Sequence, residues 1–340
     1  MSAENHLPPP PAQMMNIISG FWTSCCVYAA ARLNLAALLS EGPMSAAQIA
    51  KATETHEPSM FRLLRALSSA GVFQETVPRN FANTPLSETL RPGVPGSMRA
   101  MAIAQLGDHY RAWGNLMFSL RTGGIAFDDI EGMDLWAYYN SHPAEGVNFM
   151  EAMTGLTQAV AHNVGVAYDF KGLGTIVDVG GGNGALLASV LKRTPEAKGI
   201  VFDEEYVVEQ TRKRLAEQDL ADRCTVAAGS FFDSVPSGAD AYLLKMVLHD
   251  WDDEKALAIL RNISGAMDAR GRVLILEPVM TPGNNPHPGK WMDMNMLVMT
   301  GGKERSKEEW KALFSRSGLK LSRIVDTPSP MISVVEAIKA

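Results

Sequence analysis

Cysteine is scarce in this chain, with three residues among 340, at positions 25, 26 and 224. Two are adjacent and none stands in a CxxC or Cys/His cluster, so neither a disulfide framework nor a metal site is expected. Cys25, Cys26 and Cys224 read instead as small core residues of a reduced, cytoplasmic protein. Charge of one sign is also lacking: 31 basic against 37 acidic residues leave a net charge of −6. That balance supplies no bulk field for nucleic acid or an anionic membrane surface. Long apolar runs are missing as well, because Arg32 and Asn34 interrupt the stretches that come nearest to a bilayer span. Met1 to Pro11 has no basic segment feeding an apolar one, so no signal peptide is expected. What remains is a soluble composition, 46% hydrophobic and 20% charged, which excludes wholesale disorder over a length sufficient for two domains.

Pro8 to Pro11 reads as an extended leader. From Met14 to Leu39 apolar residues recur at helical spacing, and the face of Ile17, Phe21, Val27, Ala31, Leu35 and Leu38 wants a partner. Ser45-Ala46-Ala47-Gln48 fits a capping box, Pro58–Ala70 a second helix ended by Gly71, and Val72-Phe73 with Phe81 a two-stranded wing. Such a winged-helix pattern offers DNA binding as one reading. Its second helix, however, brings only Arg62 and Arg65 as bases, among Met60, Phe61, Leu63, Leu64 and Leu67. A packing or dimerisation domain is favoured, with no nucleic acid partner.

A boundary is expected near residue 100, with 101–170 mainly helical and 171–340 a separate core. In that core short apolar runs alternate with amphipathic helices, which predicts a doubly wound, Rossmann-like α/β sheet. The last two strands are joined through Thr327-Pro328-Ser329-Pro330, a link short enough to make an antiparallel edge strand.

Chemistry concentrates at strand ends. Thr175–Val179 runs into Gly180-Gly181-Gly182-Asn183-Gly184, and a helix follows at Ala185. Glycines there permit positive φ and let a ligand meet bare backbone at a helix N-terminus. Asp178, just inside the strand, suits a ligand carrying positive charge rather than a pyrophosphate. Asp203 ends the next strand, where an acid can accept from ribose hydroxyls. A third strand delivers His249-Asp250-Trp251, with Asp252 as N-cap of the following helix. Glu277 ends the neighbouring strand, roughly 5 Å away, and would stand beside the His249 imidazole and orient it. Glu304 lies in Gly301-Gly302-Lys303-Glu304-Arg305-Ser306, before a capping box of Ser306 and Glu309.

With these motifs in order, the chain resembles the small-molecule O-methyltransferases of the caffeic acid and acetylserotonin type, which are homodimeric class I methyltransferases. The match covers nearly the whole length and is most specific in Val177–Gly182, His249–Trp251 and Gly302–Arg305. The resemblance implies a dimerisation domain over 1–100 and a methyltransferase domain over 101–340. The donor would be S-adenosylmethionine, held by Asp178, Gly180, Gly182, Asp203, Ser230, Phe231 and Lys245. It also implies metal-free catalysis, in which His249 removes a proton from a phenolic hydroxyl, flanked by Glu277 and Glu304 and assisted by Asp250. Phe149, Met153 and Met296 would wall the aromatic substrate, and Met side chains adapt to varied outlines. Ser230 departs from the family, which usually has Asp there, so a weaker grip on adenine is implied. Two competing readings remain at this stage: N-methylation or other chemistry on the same donor, and a winged-helix regulator with a ligand-sensing domain.

Overall fold

Two prolines start the first helix. The computed structural model describes residues 8–340, so the Met1–Leu7 part of the leader lies outside the described residues. The extended leader expected through Pro11 ends at Pro9 (φ −53°, ψ 148°), and α1 (Pro10–Arg32) begins with Pro in its first turn. The reason is that the first turn needs no N–H donors, while the proline ring presets a helical φ.

The described residues through Arg111, with Val147–Ala152, make one compact unit. After α1, Asn34 turns the chain at a φ of 54° into α2 (Leu35–Leu38). Then come β1 (Met44–Ser45), α3 (Ala46–Ala52), α4 (Glu57–Ser69), β2 (Phe73–Val77), β3 (Asn80–Asn83), α5 (Pro85–Glu88), α6 (Arg99–Leu106) and α7 (Asp108–Gly114). The Ser45/Gln48 capping box forms, at 2.8 and 3.2 Å. Strands β1-β3-β2 make an antiparallel sheet whose Phe73 and Phe81 pack with Ile49, Met60, Leu64 and Leu67. The apolar face read along α1 is divided. Ala31 and Leu35 are buried, whereas Ile17 is 74% and Phe21 46% exposed, beside an exposed Trp22. By length and composition α1 is the one helix among the described residues that could cross a membrane, yet its last turn is packed inside this unit.

The second unit is Ala112–Gly146 with Met153–Ala340. Its helices α8 (Leu116–Thr122), α9 (Ala126–Glu131), α10 (Leu135–Ser141) and α11 (Pro143–Ala167) precede an alternating core. That core runs β4 (Thr175–Val179), α12 (Ala185–Arg193), β5 (Lys198–Asp203), α13 (Glu205–Glu217), β6 (Cys224–Ala228) and β7 (Ala241–Lys245). It continues through α14 (Asp253–Ala266), β8 (Arg272–Glu277), β9 (Val279–Met280), α15 (Pro288–Met299), β10 (Arg305–Ser306), α16 (Lys307–Arg316), β11 (Leu319–Asp326) and β12 (Ser333–Lys339).

The seven-stranded sheet has the order β11-β12-β8-β7-β4-β5-β6. It is parallel from β8 to β6, and β12 runs antiparallel to both β8 and β11. The antiparallel strand thus lies second from the edge, inserted between β8 and β11. Alternate residues feed two cores: Ile176, Leu243 and Leu274 pack on one face, Val177, Tyr242 and Ile275 on the other. The order reverses at β4, where β5 and β7 leave on opposite sides and open a crevice at the strands' carboxyl ends.

Candidate active site

The glycine loop leaves β4 in left-handed steps, with φ of 67° at Gly180, 55° at Gly182 and 73° at Gly184. A β-carbon on Gly181 would lie 2.9 Å from both the Asp178 carboxyl carbon and Val201, so the loop can only close over bare backbone. Asp203 anchors it from β5: one carboxylate oxygen accepts from Gly182 N–H at 2.7 Å and the other from Glu204 N–H at 2.8 Å. Thr211 of α13 donates to the Gly182 carbonyl at 2.8 Å. From the other side Asn183 donates to Thr154 of α11 and accepts from Ala185 N–H at 3.3 Å.

Asp178 is buried under this loop, with Oδ2 lacking a hydrogen-bond partner among the described residues. Burial lifts its carboxyl to about 7 against the pull of Lys245, with Asp203 adding to the rise. Alternation puts Lys245, two residues after Leu243, on the same sheet face as Asp178. Burial lowers the Lys245 ammonium, and Asp178, Asp250 and Glu277 oppose that change. Ser230 opens a tight turn and its hydroxyl accepts from Phe232 N–H at 3.3 Å. Phe231 reaches towards Gly180, and Asn262 holds both Phe carbonyls at 2.9 and 2.8 Å.

After β7 the chain bends at Met246, whose φ of 52° is unusual for a side chain of that size, and enters a 3-10 turn, Leu248–Asp250. His249 is on this turn, buried, with Nδ1 2.7 Å from Glu304 Oε1. Its Nε2 faces Asp250 Oδ1 at 3.7 Å. Glu277 departs from expectation. Its Oε1 accepts from the backbone N–H groups of Val247, Leu248 and His249 at 3.2, 2.8 and 3.1 Å, and no bond to the imidazole is formed. The physical reason is that a tight turn leaves its N–H groups unpaired, and a buried carboxylate can take several at once. Glu277 therefore fixes the backbone that carries His249, while Glu304 alone orients the ring.

Glu304 arrives by a device the sequence pattern did not announce. The two-residue parallel ladder pairs Arg305 with Val279 and Ser306 with Met280, which sets the loop beside the end of β8. Gly302 is wedged so tightly that a β-carbon would overlap the His249 carbonyl oxygen, and Lys303 N–H donates to that same oxygen at 2.9 Å. Asp293 of α15 accepts from Glu304 N–H at 2.9 Å. Burial above all, then Asp293, raises the Glu304 carboxyl to about 8, and Arg305 pulls the other way. Asp250 is similarly lifted to about 6 by burial, with His249 opposing.

Met153 on α11 and the buried Met296 on α15 belong to the second unit. Phe149 belongs to the first, its ring 6.3 Å from that of His109. Sequence reading missed Gly302 as a wedge, Arg305, Asp293, and Asn295, which accepts from Trp113 Nε1–H at 2.9 Å. An Arg directly after a candidate catalytic acid was the available signal for Arg305.

A crevice whose glycine loop is backed by a buried acid repels a pyrophosphate and favours a nucleoside bearing a cation. The open Oδ2 of Asp178, the bare loop and Asp203 on the adjoining strand fit that group. This is the architecture of a class I methyltransferase, an enzyme whose methyl donor is S-adenosylmethionine.

The sequence profile of the O-methyltransferase domain matches residues 113–320, and that of the O-methyltransferase dimerisation domain residues 15–92. The chain belongs to this O-methyltransferase family. It is 42% identical over 324 residues to the phenazine O-methyltransferase PhzM of Lysobacter antibioticus, covering 95% of each chain. It is 37% identical to the mitomycin biosynthesis 6-O-methyltransferase of Streptomyces lavendulae, covering 96% of this chain and 93% of that one. A phenazine-1-carboxylate N-methyltransferase of Pseudomonas aeruginosa is 32% identical, over 95% of this chain and 96% of its own. Among solved structures, LaPhzM superposes with a TM-score of 0.96 at 41% identity, over 98% of this chain and 100% of that one. An O-methyltransferase from neocarzinostatin biosynthesis, solved with S-adenosylmethionine and 2-hydroxy-5-methyl naphthoic acid, gives 0.83 at 33% identity over 94% and 96%.

Two outcomes follow from this geometry. Gly302→Ala is expected to cost about 1–3 kcal/mol of stability through overpacking against the turn, read by chemical denaturation. The raised Asp178 and Glu304 carboxyls keep protons in the fold that an unfolded chain releases above about pH 4.5. Folding then takes up protons, so stability falls as pH rises from about 5 to about 8. Glu304→Gln is expected to flatten the upper part of that fall in a Tm-against-pH series on donor-free protein.

Proposed function

We propose that this enzyme methylates a hydroxyl on a small, planar aromatic natural product, with His249 as general base and no metal. The observation that carries the reading is the pairing of His249 Nδ1 with Glu304, which leaves Nε2 directed away from that carboxylate and towards Asp250. S-adenosylmethionine supplies an electrophilic methyl group on a sulfonium. Asp178, Gly180, Gly182, Asp203, Ser230, Phe231 and Lys245 would hold it, and Met153, Met296 and Phe149 would hold the acceptor.

Deprotonating a phenol fully by an ordinary imidazole is uphill by roughly 5 kcal/mol. His249 Nε2 is therefore assigned removal of the proton while the oxygen attacks, when the positive charge building on that oxygen has made its proton more acidic. Glu304 stabilises the imidazolium that results, and Asp250 supports the hydroxyl. Methylation at nitrogen is the second reading, supported by the activity of the Pseudomonas relative. A neutral amine attacks through its lone pair and has less need of a base, so His249 discriminates the two.

We also place the enzyme in the cytoplasm, in keeping with three free thiols. We assign it as a homodimer, with the uncovered Ile17, Phe21 and Trp22 of α1 in the interface. Phe21→Asp is expected to yield monomers in sedimentation velocity; an unchanged dimer would remove α1 from that role.

The central test uses hydroxyphenazines, naphthols, flavonoids, quinones and hydroxyindoles as acceptors. His249→Gln is expected to bind S-adenosylhomocysteine as the native protein does in calorimetry, yet to transfer methyl groups some 10²–10⁴ times more slowly. Native-rate turnover by that variant would refute the general-base assignment.

A further inference from the structure

Arg305 is fully buried, and it is among the largest side chains in the protein to be so. A buried guanidinium is costly unless every donor and its charge are matched. Its Nη1 donates to the Leu248 carbonyl at 2.9 Å and its Nη2 to the Trp251 carbonyl at 2.9 Å. Its Nε donates to Asp253 Oδ1 at 3.0 Å, and the guanidinium carbon stands 5.4 Å over the Trp310 ring. The carbonyls of Leu248 and Trp251 flank His249-Asp250 on either side, so this one side chain closes the turn from both ends. Such matching would secure a scaffold. It does not explain why the cation directly follows Glu304.

We propose that Arg305 is a positioning residue for His249: it clamps the turn by its flanking carbonyls, and its positive charge, one residue along from Glu304, favours the carboxylate form at Nδ1. The inference rests on the general-base reading above. The two states of Glu304 have opposite consequences for the ring. An ionised Glu304 accepts from Nδ1–H, and Nε2 keeps its lone pair. A protonated Glu304 donates to Nδ1, which forces the proton onto Nε2 and blocks it as a base.

The surroundings leave that choice finely set. Burial and Asp293 of α15 favour the protonated acid, and among the charges acting on Glu304 it is Arg305 that opposes them. Arg305 also opposes protonation of Glu277 beneath the same turn. The remaining charges around the ring are Asp250, at 3.7 Å from Nε2, and Lys245, which acts on Asp250. Lys303, the other cation of the loop, is committed to Glu309 at 2.7 Å and Asp253 at 3.4 Å. Arg305 is thus the cation whose removal changes the balance at the Glu304–His249 pair.

The test is a pH titration of donor-free, full-length protein labelled with ¹⁵N-histidine, the His249 ring signals being assigned by their absence in His249→Gln. In native protein Nε2 is expected to lose its proton in a step shared with Glu304. In Arg305→Met that step is expected about one to three units higher. Arg305→Lys keeps the charge but not the fork, and its step is expected close to the native one even if the variant melts earlier. A purely structural arginine would give the same step in all folded variants, or would shift it as far with Lys as with Met. Either result overturns the proposal, and should Arg305→Met not fold, Arg305→Gln, which also removes the charge, decides it by the same upward shift or its absence. The readout needs no methyl transfer, so a failure of His249 as base appears separately, as undiminished turnover in His249→Gln.

Discussion

The 2.7 Å bond between His249 and Glu304 joins segments 55 residues apart in the sequence, and most of the surrounding architecture exists to keep those segments in register. A bond of that kind is sensitive to small displacements, because its strength falls steeply as distance and angle depart from optimum. Neither partner is on a regular element. His249 is on a single 3-10 turn and Glu304 on a loop. Precision therefore has to come from what is fastened around them.

Three fasteners act on the turn at once. Glu277 takes its N–H groups from below, Arg305 takes its carbonyls from the side, and Gly302 presses backbone to backbone with no intervening side chain. The short β9–β10 ladder then ties the Glu304 loop to the strand that supplies Glu277. Removing the side chain at 302 and placing an arginine at 305 are thus parts of one arrangement. The left-handed Met246 is consistent with it, since strain of that kind persists only where neighbours over-determine the backbone.

The same economy governs the donor side. Asp203 uses both carboxylate oxygens on backbone, one of them on the glycine loop itself, so it holds the loop's shape in addition to the donor contact proposed for it. Asp178 is left without a partner for one oxygen beneath that loop. A buried carboxyl in that condition favours its neutral form until a cation arrives. A sulfonium donor is such a cation, which is the ground on which Asp178 and the loop above it are proposed to act together.

The sequence alone determined the alternation of the main strands and helices of the α/β core, the glycine loop and the identity of the histidine. Those features are local: short continuous apolar runs, capping boxes and glycine spacing are read within a few residues. It also brought Glu277 and Glu304 to attention, but could not assign their roles, because a role depends on which atoms meet. Tertiary structure decided that Glu277 serves backbone and Glu304 the ring, and that β12 enters the sheet antiparallel one place in from its edge. It also divided the apolar face of α1 into a packed half and an open half, with no change of pattern in the sequence between them. The reason is common to all three. Periodicity reports which side of an element is apolar, whereas contact requires the register between elements distant in sequence, and that is fixed only once the sheet, the ladder and the wedge of Gly302 have closed.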